Sequence, residues 1–430
     1  MPRRALPARI ARFIIGEAGE DKLRLIVEIS RKISTATELK EVLDFILDAA
    51  RKEIDYDAAG IFLFDEESQT AMCAAGRGYR ESFSIVAPFD RLPGIVGWVI
   101  STGESVIAAE VEDNPHYLNL REETHSQLTV PITGADKVLG AFNLESDRAD
   151  AFTEKDLEWL AVLATQVAIS IERARLHQEL LEKRRLDEEL RIAREVQLSL
   201  LPTSAPKLDG LDIAGINIPS RNIGGDYYDF IPIVSGHLGI VIADVAGKGV
   251  PASLIMASFR AFLRAEIRNN YSIHTIFAKV NNLLSEILQP HQFVTAFYGV
   301  LDLEQRRFTF SNAGHNPPML LRPDGKWRRL TSGGVVLGIF EGASYDQGVI
   351  DLMPGDLFVL YTDGLIEAEN KAGQMFGDKR LERLVRANMH LPADELCETI
   401  YQEMRRFTKE SRLDDDTTIV IAKVLQANVS

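Results

Sequence analysis

Cysteine and long apolar runs are both scarce in this chain of 430 residues. The two cysteines, Cys73 and Cys397, are too few and too far apart in sequence for a zinc site or a disulfide framework. No stretch approaches the ~20 consecutive apolar residues of a membrane span. The N-terminal run Phe13-Ile14-Ile15 is too short for a signal-peptide core. These absences predict a protein of the reducing cytoplasm with no membrane span.

Positive charge is in deficit as well. The 48 lysines and arginines are outnumbered by 63 aspartates and glutamates, which gives a formal net charge of −15. Proteins that bind nucleic acid usually carry basic faces, so this balance argues against a nucleic-acid partner. The length allows two or three domains. Residues 1–18 carry four arginines and little apolar periodicity, and we expect them to form a flexible tail.

The first third of the chain alternates between helical and extended patterns. Apolar residues recur at helical spacing from Leu23 to Ile33 and again from Leu39 to Leu47. A buried strand is then predicted over Ala58–Asp65, and three further strands follow before a long helix that Thr153 caps. Helices, a hairpin, further strands and a closing helix predict an α+β sensor fold.

Three short phrases in this part resemble those of GAF domains. They are Gly94-Ile95-Val96-Gly97-Trp98-Val99, Thr129-Val130-Pro131-Ile132 and Gly140-Ala141-Phe142-Asn143-Leu144-Glu145-Ser146. The resemblance implies a sensor domain over residues 19–175 that receives an unknown small-molecule or protein signal. The GAF signature for cyclic nucleotides is only partly met, because Leu144 and Leu157 stand where lysine and glutamate would be. The sequence therefore does not predict cyclic GMP as the ligand.

The helical pattern after Asp156 continues without glycine or proline to Pro202. The steps of four and three that are typical of a coiled-coil seam connect Leu186, Leu190, Ala193, Gln197 and Leu200. The register slips near Lys183-Arg184-Arg185. We expect a coiled-coil linker over residues 176–202 that joins two copies of the chain. A monomeric helix packed on its own domains is the alternative.

Acidic residues mark four strand ends in the last part of the chain. Asp226 follows two glycines, Asp244 ends an apolar strand, and Asp363 and Asp415 stand beside two later strands. Carboxylates that converge repel one another, so a cluster of four predicts bound divalent cations. Two such ions about 3.5–4 Å apart can share a hydroxide and polarise a phosphoryl oxygen. No Ser-His or Cys-His pair is apparent, which fits a metal-activated water as the attacking group.

Five motifs in this order resemble those of the SpoIIE-like PPM serine/threonine phosphatases. They are Gly225-Asp226-Tyr227-Tyr228-Asp229, Asp244-Val245-Ala246-Gly247-Lys248-Gly249, Asn312-Ala313-Gly314-His315, Thr362-Asp363-Gly364 and Asp414-Asp415-Asp416-Thr417-Thr418. The resemblance covers about residues 190–427. It implies a PPM-type β-sandwich flanked by α-helices over residues 203–430, and hence a metal-dependent phosphoric monoester hydrolase.

The resemblance also implies roles for single residues. It implies two divalent ions, Mn2+ or Mg2+, whose ligands are Asp226, Asp244, the carbonyl of Val245, Asp363 and Asp415. Asp415 is preferred to Asp414 and Asp416 because the family pattern is Asp-Asp-any-Thr before an apolar strand. Arg221 stands where some relatives hold the substrate phosphate. Asp229 is expected just outside the metal ligands, and His315 is expected to hydrogen-bond its own loop.

The implied function is dephosphorylation of a phosphoprotein in bacterial signalling, regulated by the GAF domain through a dimeric helical linker. The substrate implied is a STAS-type anti-sigma-factor antagonist phosphorylated on serine or threonine. Two alternatives stay open at this point. Gly224-Gly225-Asp226 resembles the start of the GGDEF signature of diguanylate cyclases, although Tyr227 and Tyr228 replace its Glu-Phe pair. The other alternative is a catalytically silent pseudo-phosphatase scaffold.

Overall fold

The computed structural model describes residues 20–36, 38–65, 68, 70–79, 87–88, 94–119, 121–220, 223–233, 236–270, 272–409 and 413–426. Residue contacts divide the chain into two compact units, Met1–Arg184 and Arg185–Ser430. The predicted tail of residues 1–18 and the predicted phosphate ligand Arg221 lie outside the described residues. No helix in the described ranges is long and apolar enough to cross a membrane.

The first unit is built on one six-stranded sheet with the order β3-β2-β1-β6-β5-β4. Its strands are β1 (Ala58–Asp65), β2 (Thr70–Arg77), β3 (Ala87–Pro88), β4 (Val106–Ala108), β5 (Ser126–Thr133) and β6 (Val138–Ser146). Its helices are α1 (Glu20–Thr35), α2 (Leu39–Glu53), α3 (Gly94–Thr102) and the first part of α4 (Glu154–Leu200). Apolar side chains of α1, α2 and α4 pack with β1, β5 and β6 in one core, and α3 contributes to a second, smaller core.

Helix α4 begins where the sequence predicts, directly after Thr153. The carboxylate of Asp156 accepts hydrogen bonds from the backbone N–H and the hydroxyl of Thr153, at 2.8 and 2.7 Å, which closes a capping box. The helix is 47 residues long. Its last part carries exposed apolar side chains at Leu176, Leu180, Leu181, Leu186, Ile192, Val196 and Leu198.

The predicted coiled-coil seam needs one correction at its C-terminal end. Leu200 packs against the core of its own unit, and the Gln197 side chain hydrogen-bonds the backbone of Gly224. These two seam positions therefore serve contacts within the chain, because the helix ends against the second unit's own fold.

The second unit contains two mixed or antiparallel sheets, of orders β14-β11-β10-β9-β8, with β15 beside β11, and β13-β12-β16-β17-β7. Its strands are β7 (Leu211–Ile218), β8 (Tyr227–Pro232), β9 (His237–Val245), β10 (Val294–Asp302), β11 (Arg307–Ala313), β12 (Met319–Leu321), β13 (Trp327–Arg329), β14 (Gly333–Gly334), β15 (Gly348–Asp351), β16 (Leu357–Tyr361) and β17 (Thr417–Val424). Its helices are α5 (Val250–Asn269), α6 (Ile273–Ser285), α7 (Asp363–Ile366), α8 (Asp378–Asn388) and α9 (Ala393–Phe407).

Strand alternation in the second sheet explains the layering of this unit. Leu320, Phe358 and Val420 face the first sheet and share its core with α5 and α6, whereas neighbours such as Val359 and Ile421 pack against α8 and α9. Ring contacts cross between the sheets, as for Phe308 and Phe358 with centroids 5.0 Å apart. The arrangement is helix, sheet, sheet, helix, and the predicted α+β class with a helix-flanked sandwich is confirmed.

Candidate metal centre

The four predicted acidic residues lie at the ends of two strand pairs, one pair in each sheet of the second unit. Asp226 directly precedes β8 and Asp244 lies near the end of β9, whose Ala243 pairs with Tyr227. Asp363 follows β16 and Asp415 precedes β17, and these strands are also hydrogen-bonded neighbours. Each sheet therefore contributes two carboxylates at the place where its strands meet turns.

Asp226 ties the two sheets together. Its carboxylate is 2% exposed, and Oδ2 accepts hydrogen bonds from the hydroxyls of Thr362 at 2.8 Å and Thr418 at 2.6 Å. The Thr362 hydroxyl also accepts a hydrogen bond from the backbone N–H of Thr418 at 2.9 Å. A buried anion needs such donors to offset its lost hydration. Both threonines stand inside the five motifs, but the motifs alone do not predict that they hold Asp226.

Asp244 shows how crowded the negative charge is. Burial and the nearby charges of Asp363 and Asp415 raise the pKa of Asp244 to about 7. Burial and the charge of Asp244 raise the pKa of Asp226, and burial and Asp415 raise that of Asp363. Asp244 therefore lies within electrostatic range of the other three predicted carboxylates. A divalent cation among them would relieve this repulsion and restore their ionised forms.

The donor set suits Mg2+ or Mn2+, which prefer carboxylate and carbonyl oxygens. The carbonyl oxygen of Val245 lies 3.0 Å from the position that a Cβ on Gly225 would take, so glycine keeps this oxygen accessible. Within the described ranges, no group of three or more acidic, histidine or cysteine side chains has the geometry to hold a metal ion. Instead, the ammonium of Lys248 lies 2.9 Å from Asp415 Oδ2. A cation thus already contacts one of the predicted ligands.

Asp416 holds the turn that carries Asp226. Its buried carboxylate accepts hydrogen bonds from the backbone N–H and hydroxyl of Ser220, at 2.8 and 3.0 Å, and from the N–H of Gly225 at 2.7 Å. A Cβ added to Gly224 would lie 2.2 Å from Asp416 Oδ2, so only glycine fits there. Asp416 therefore holds this turn in position, and its charge, like that of Asp415, also raises the pKa of Asp244.

The predicted neighbour of the metal ligands, Asp229, forms an ion pair in which its own carboxylate is buried and the Arg264 side chain is 35% exposed. Its Oδ2 accepts hydrogen bonds from Arg264 at 2.8 and 2.6 Å and from the Tyr227 hydroxyl at 2.5 Å. Arg264 belongs to α5, the helix that follows the Asp244 turn. This contact fixes α5 to strand β8 three residues beyond Asp226. Sequence alone gave no signal for Arg264.

Helix α4 reaches the same turn from the other side. The Gln197 side chain donates through Nε2 to the carbonyl of Gly224 at 2.6 Å and accepts from the Gly224 N–H at 3.2 Å. Such a paired contact fixes both the position and the orientation of the backbone at Gly224. The last turn of the linker helix is thereby joined to the turn of Asp226.

Comparison with known proteins decides the family. The family model described as Stage II sporulation protein E (SpoIIE) matches residues 235–425. The family model described as GAF domain matches residues 36–172. Phosphoserine phosphatase RsbU of Bacillus subtilis (strain 168) is 30% identical over 236 residues, which cover 55% of this chain and 70% of RsbU. The chain belongs to the SpoIIE-type PPM phosphatase family.

One further relative is covered by its alignment over a smaller share of its length, and a solved domain is covered almost completely. Protein IcfG of Synechocystis sp. (strain ATCC 27184 / PCC 6803 / Kazusa) is 29% identical over 54% of this chain but only 41% of IcfG. The solved SiaA-PP2C domain of Pseudomonas aeruginosa aligns with a TM-score of 0.50 at 22% identity, over 57% of this chain and 99% of that domain. That likeness supports the PP2C fold of the second unit. A cyclase assignment finds no support in these matches.

His315 of this SpoIIE-type unit is a structural residue. Asn312 Oδ1 accepts a hydrogen bond from the His315 backbone N–H at 2.8 Å, and the ring Nδ1 lies 2.9 Å from the Thr295 hydroxyl. Burial lowers the pKa of His315 to about 4. A ring with this pKa is neutral near pH 7. The predicted loop contact is made by the His315 backbone, whereas the ring contacts Thr295 on β10, outside that loop.

The GAF domain contains a buried polar network on β5 and β6. Asn143 Oδ1 accepts hydrogen bonds from Gln127 and Thr129, both at 2.6 Å, while Asn143 Nδ2 donates to Glu145 at 2.9 Å and to the Tyr79 hydroxyl at 3.1 Å. Asn143 is one of the residues shared with the cyclic-nucleotide signature. Here its amide is fully engaged by neighbouring side chains, which gives no indication of a nucleotide ligand.

Proposed function

We propose that this chain is a metal-dependent phosphatase that hydrolyses phosphoserine or phosphothreonine in a bacterial signalling protein. The observation that carries the proposal is the mutual electrostatic coupling of Asp244 with Asp226, Asp363 and Asp415. Four strand ends from two sheets supply these groups, which is the arrangement a rigid oxygen-ligand site requires. Membership of the SpoIIE-type PPM phosphatase family supports the same reaction.

In this proposal Asp226, Asp244, Asp363, Asp415 and the Val245 carbonyl hold two divalent cations, Mn2+ or Mg2+. When bound, such ions generate a nucleophilic water at neutral pH and stabilise charge on the phosphoryl oxygens. Water and the phosphomonoester become the free hydroxyl side chain and inorganic phosphate. Thr362, Thr418 and Asp416 do not react; they hold Asp226 and its turn in place. Arg221 is retained as the proposed phosphate ligand on its sequence position alone.

The proposed substrate is a small STAS-type antagonist of an anti-sigma factor, phosphorylated on serine or threonine. The family resemblance implies this class of partner. The relative RsbU is named a phosphoserine phosphatase, which supports phosphoserine as the group removed. The negative net charge of this chain makes nucleic acid a poor alternative ligand.

Regulation is proposed to pass from the GAF domain through helix α4. The contact between Gln197 and Gly224 supports this route, because a shift of the helix end would move the turn of Asp226. The exposed apolar residues between Leu176 and Val196 support pairing of two such helices. A signal molecule or protein at the GAF domain would then act by changing how the helices pack.

The test is release of phosphate from a phosphoserine-carrying STAS-domain protein, with and without Mn2+. We expect turnover only with the ion, and a loss of about 100-fold or more in Asp363→Asn. Asp414→Asn is the matched control, since Asp414 is exposed and only its backbone carbonyl contacts Lys248. A chain that binds Mn2+ but releases no phosphate would support the pseudo-phosphatase scaffold instead.

A further inference from the structure

Lys248 occupies an unusual position in the loop between β9 and α5. It is flanked by Gly247 and Gly249, whose φ angles of 106° and 79° lie in the region that favours glycine. A Cβ added at either glycine would meet no atom within 4 Å. The lysine backbone is therefore held by permissive residues in open space. The backbone on both sides of Lys248 therefore lies in a conformation that glycine adopts easily.

The Lys248 ammonium nevertheless faces the acidic centre. Its Nζ lies 2.9 Å from Asp415 Oδ2 and also donates a hydrogen bond to the backbone carbonyl of Asp414. Its charge also acts on Asp363, whose pKa it lowers against the larger opposing effect of burial. Two of the four proposed metal ligands thus feel this single positive charge.

We propose that Lys248 is a built-in competitor for the divalent cation at Asp415. The inference rests on the proposed metal centre and assigns a role to a residue outside its ligand set. The ammonium pairs with Asp415 and leaves when a divalent ion takes the same carboxylate. Both cations cannot share that oxygen closely, because like charges in a partly buried site repel one another.

The surroundings provide a place for the displaced ammonium. A cavity of about 260 Å³ is lined by Lys248, Asp415 and two further acidic residues, Glu367 and Glu369. Glu367 also acts electrostatically on Asp363, so it lies near the acidic centre. The lysine could therefore exchange its contact with Asp415 for a contact with Glu367 or Glu369 without leaving the cavity. The cavity thus contains two carboxylates to which the displaced ammonium can move.

Metal binding by the full chain tests this role without relying on turnover. Mn2+ would be titrated into the wild type, Lys248→Met, Lys248→Gln and Lys248→Arg, with affinity measured by calorimetry and by the free-Mn2+ EPR signal. We expect the two uncharged variants to bind Mn2+ about tenfold more tightly, since a repelling charge is gone. Lys248→Arg keeps that charge and should stay close to the wild type.

Lys326→Met is the matched control. Lys326 also forms an ion pair, with Asp324 at 3.0 Å, but both side chains are exposed. Its removal should leave Mn2+ affinity unchanged. Unchanged or weaker Mn2+ binding by both uncharged Lys248 variants would overturn the competitor role. If such variants instead raise only the KM for the phosphorylated substrate, Lys248 binds phosphate and the proposal is wrong. Failure of the wild type to bind Mn2+ would overturn the metal centre itself, and this role with it.

Discussion

Exchange of Asp416 for asparagine should damage both the stability and the activity of the phosphatase unit. The buried carboxylate accepts three hydrogen bonds, two from Ser220 and one from the N–H of Gly225. Asparagine has the same shape but offers only one acceptor oxygen. In either orientation its NH2 group faces a backbone N–H, so one buried donor is left without an acceptor.

The size of the effect follows from these contacts. A hydrogen bond to a charged group contributes about 1.5–3 kcal/mol, and an unsatisfied buried donor costs about 1–3 kcal/mol. We therefore expect Asp416→Asn to lower the free energy of unfolding of this unit by roughly 3 kcal/mol. Because Gly225 directly precedes Asp226, we also expect phosphatase turnover to fall by about tenfold or more.

The neighbouring aspartates provide matched controls for this prediction. Asp414→Asn alters an exposed side chain and should change neither property, whereas Asp415→Asn should abolish Mn2+-dependent turnover with little loss of stability. Hydrogen–deuterium exchange of peptides from β8 and β17 reads the stability of this unit apart from the GAF domain. If the amides of these peptides exchange at the same rate in Asp416→Asn as in Asp414→Asn, the positioning role is refuted.

Three further outcomes can be measured. Gln197→Ala removes both bonds to Gly224 and should speed amide exchange there about tenfold, as read by exchange mass spectrometry. Because burial lowers the pKa of His315 from 6.5 to about 4, only the unfolded chain gains this proton as pH falls through that window. The free energy of unfolding, measured with urea, should fall by up to about 3 kcal/mol as the pH falls through this range. His315→Asn should make the free energy of unfolding less dependent on pH. Arg264→Met leaves Asp229 buried without its partner and should cost about 3 kcal/mol, measured by thermal unfolding, with Arg264→Lys in between.

The acidic motifs predicted which aspartates matter, but not how neighbouring ones divide their work. In the run Asp414-Asp415-Asp416 the side chains are respectively exposed, paired with Lys248 and buried against Ser220. Identical residues in sequence carry no signal that separates these environments. Only the family spacing pointed to Asp415. The buried role of Asp416 depends on contacts with residues almost 200 positions away along the chain, which local patterns cannot encode.

Long-range contacts also explain the other gaps. Thr362, Thr418 and Arg264 act through partners on different strands and helices, and their residue types are common elsewhere in the chain. Heptad spacing in the linker predicts a seam but does not show what packs against it. It therefore places Leu200 against a second copy, whereas Leu200 packs against the core of its own unit. Helix α9 is a different case, because Leu396, Ile400 and Met404 recur at helical spacing and that pattern is visible in the sequence.

The contacts around Asp226 separate a fixed part of the site from an adjustable part. Thr362 and Thr418 hold its carboxylate from buried strand ends in the opposite sheet, and such contacts change only if the sandwich opens. The turn before it is held by Gln197, which lies at the end of a helix, and Asp415 is paired with a lysine set between glycines. Regulation of a metal centre does not require its rigid ligands to move. The proposed regulation acts instead on how the linker helix packs and on the contact between Lys248 and Asp415.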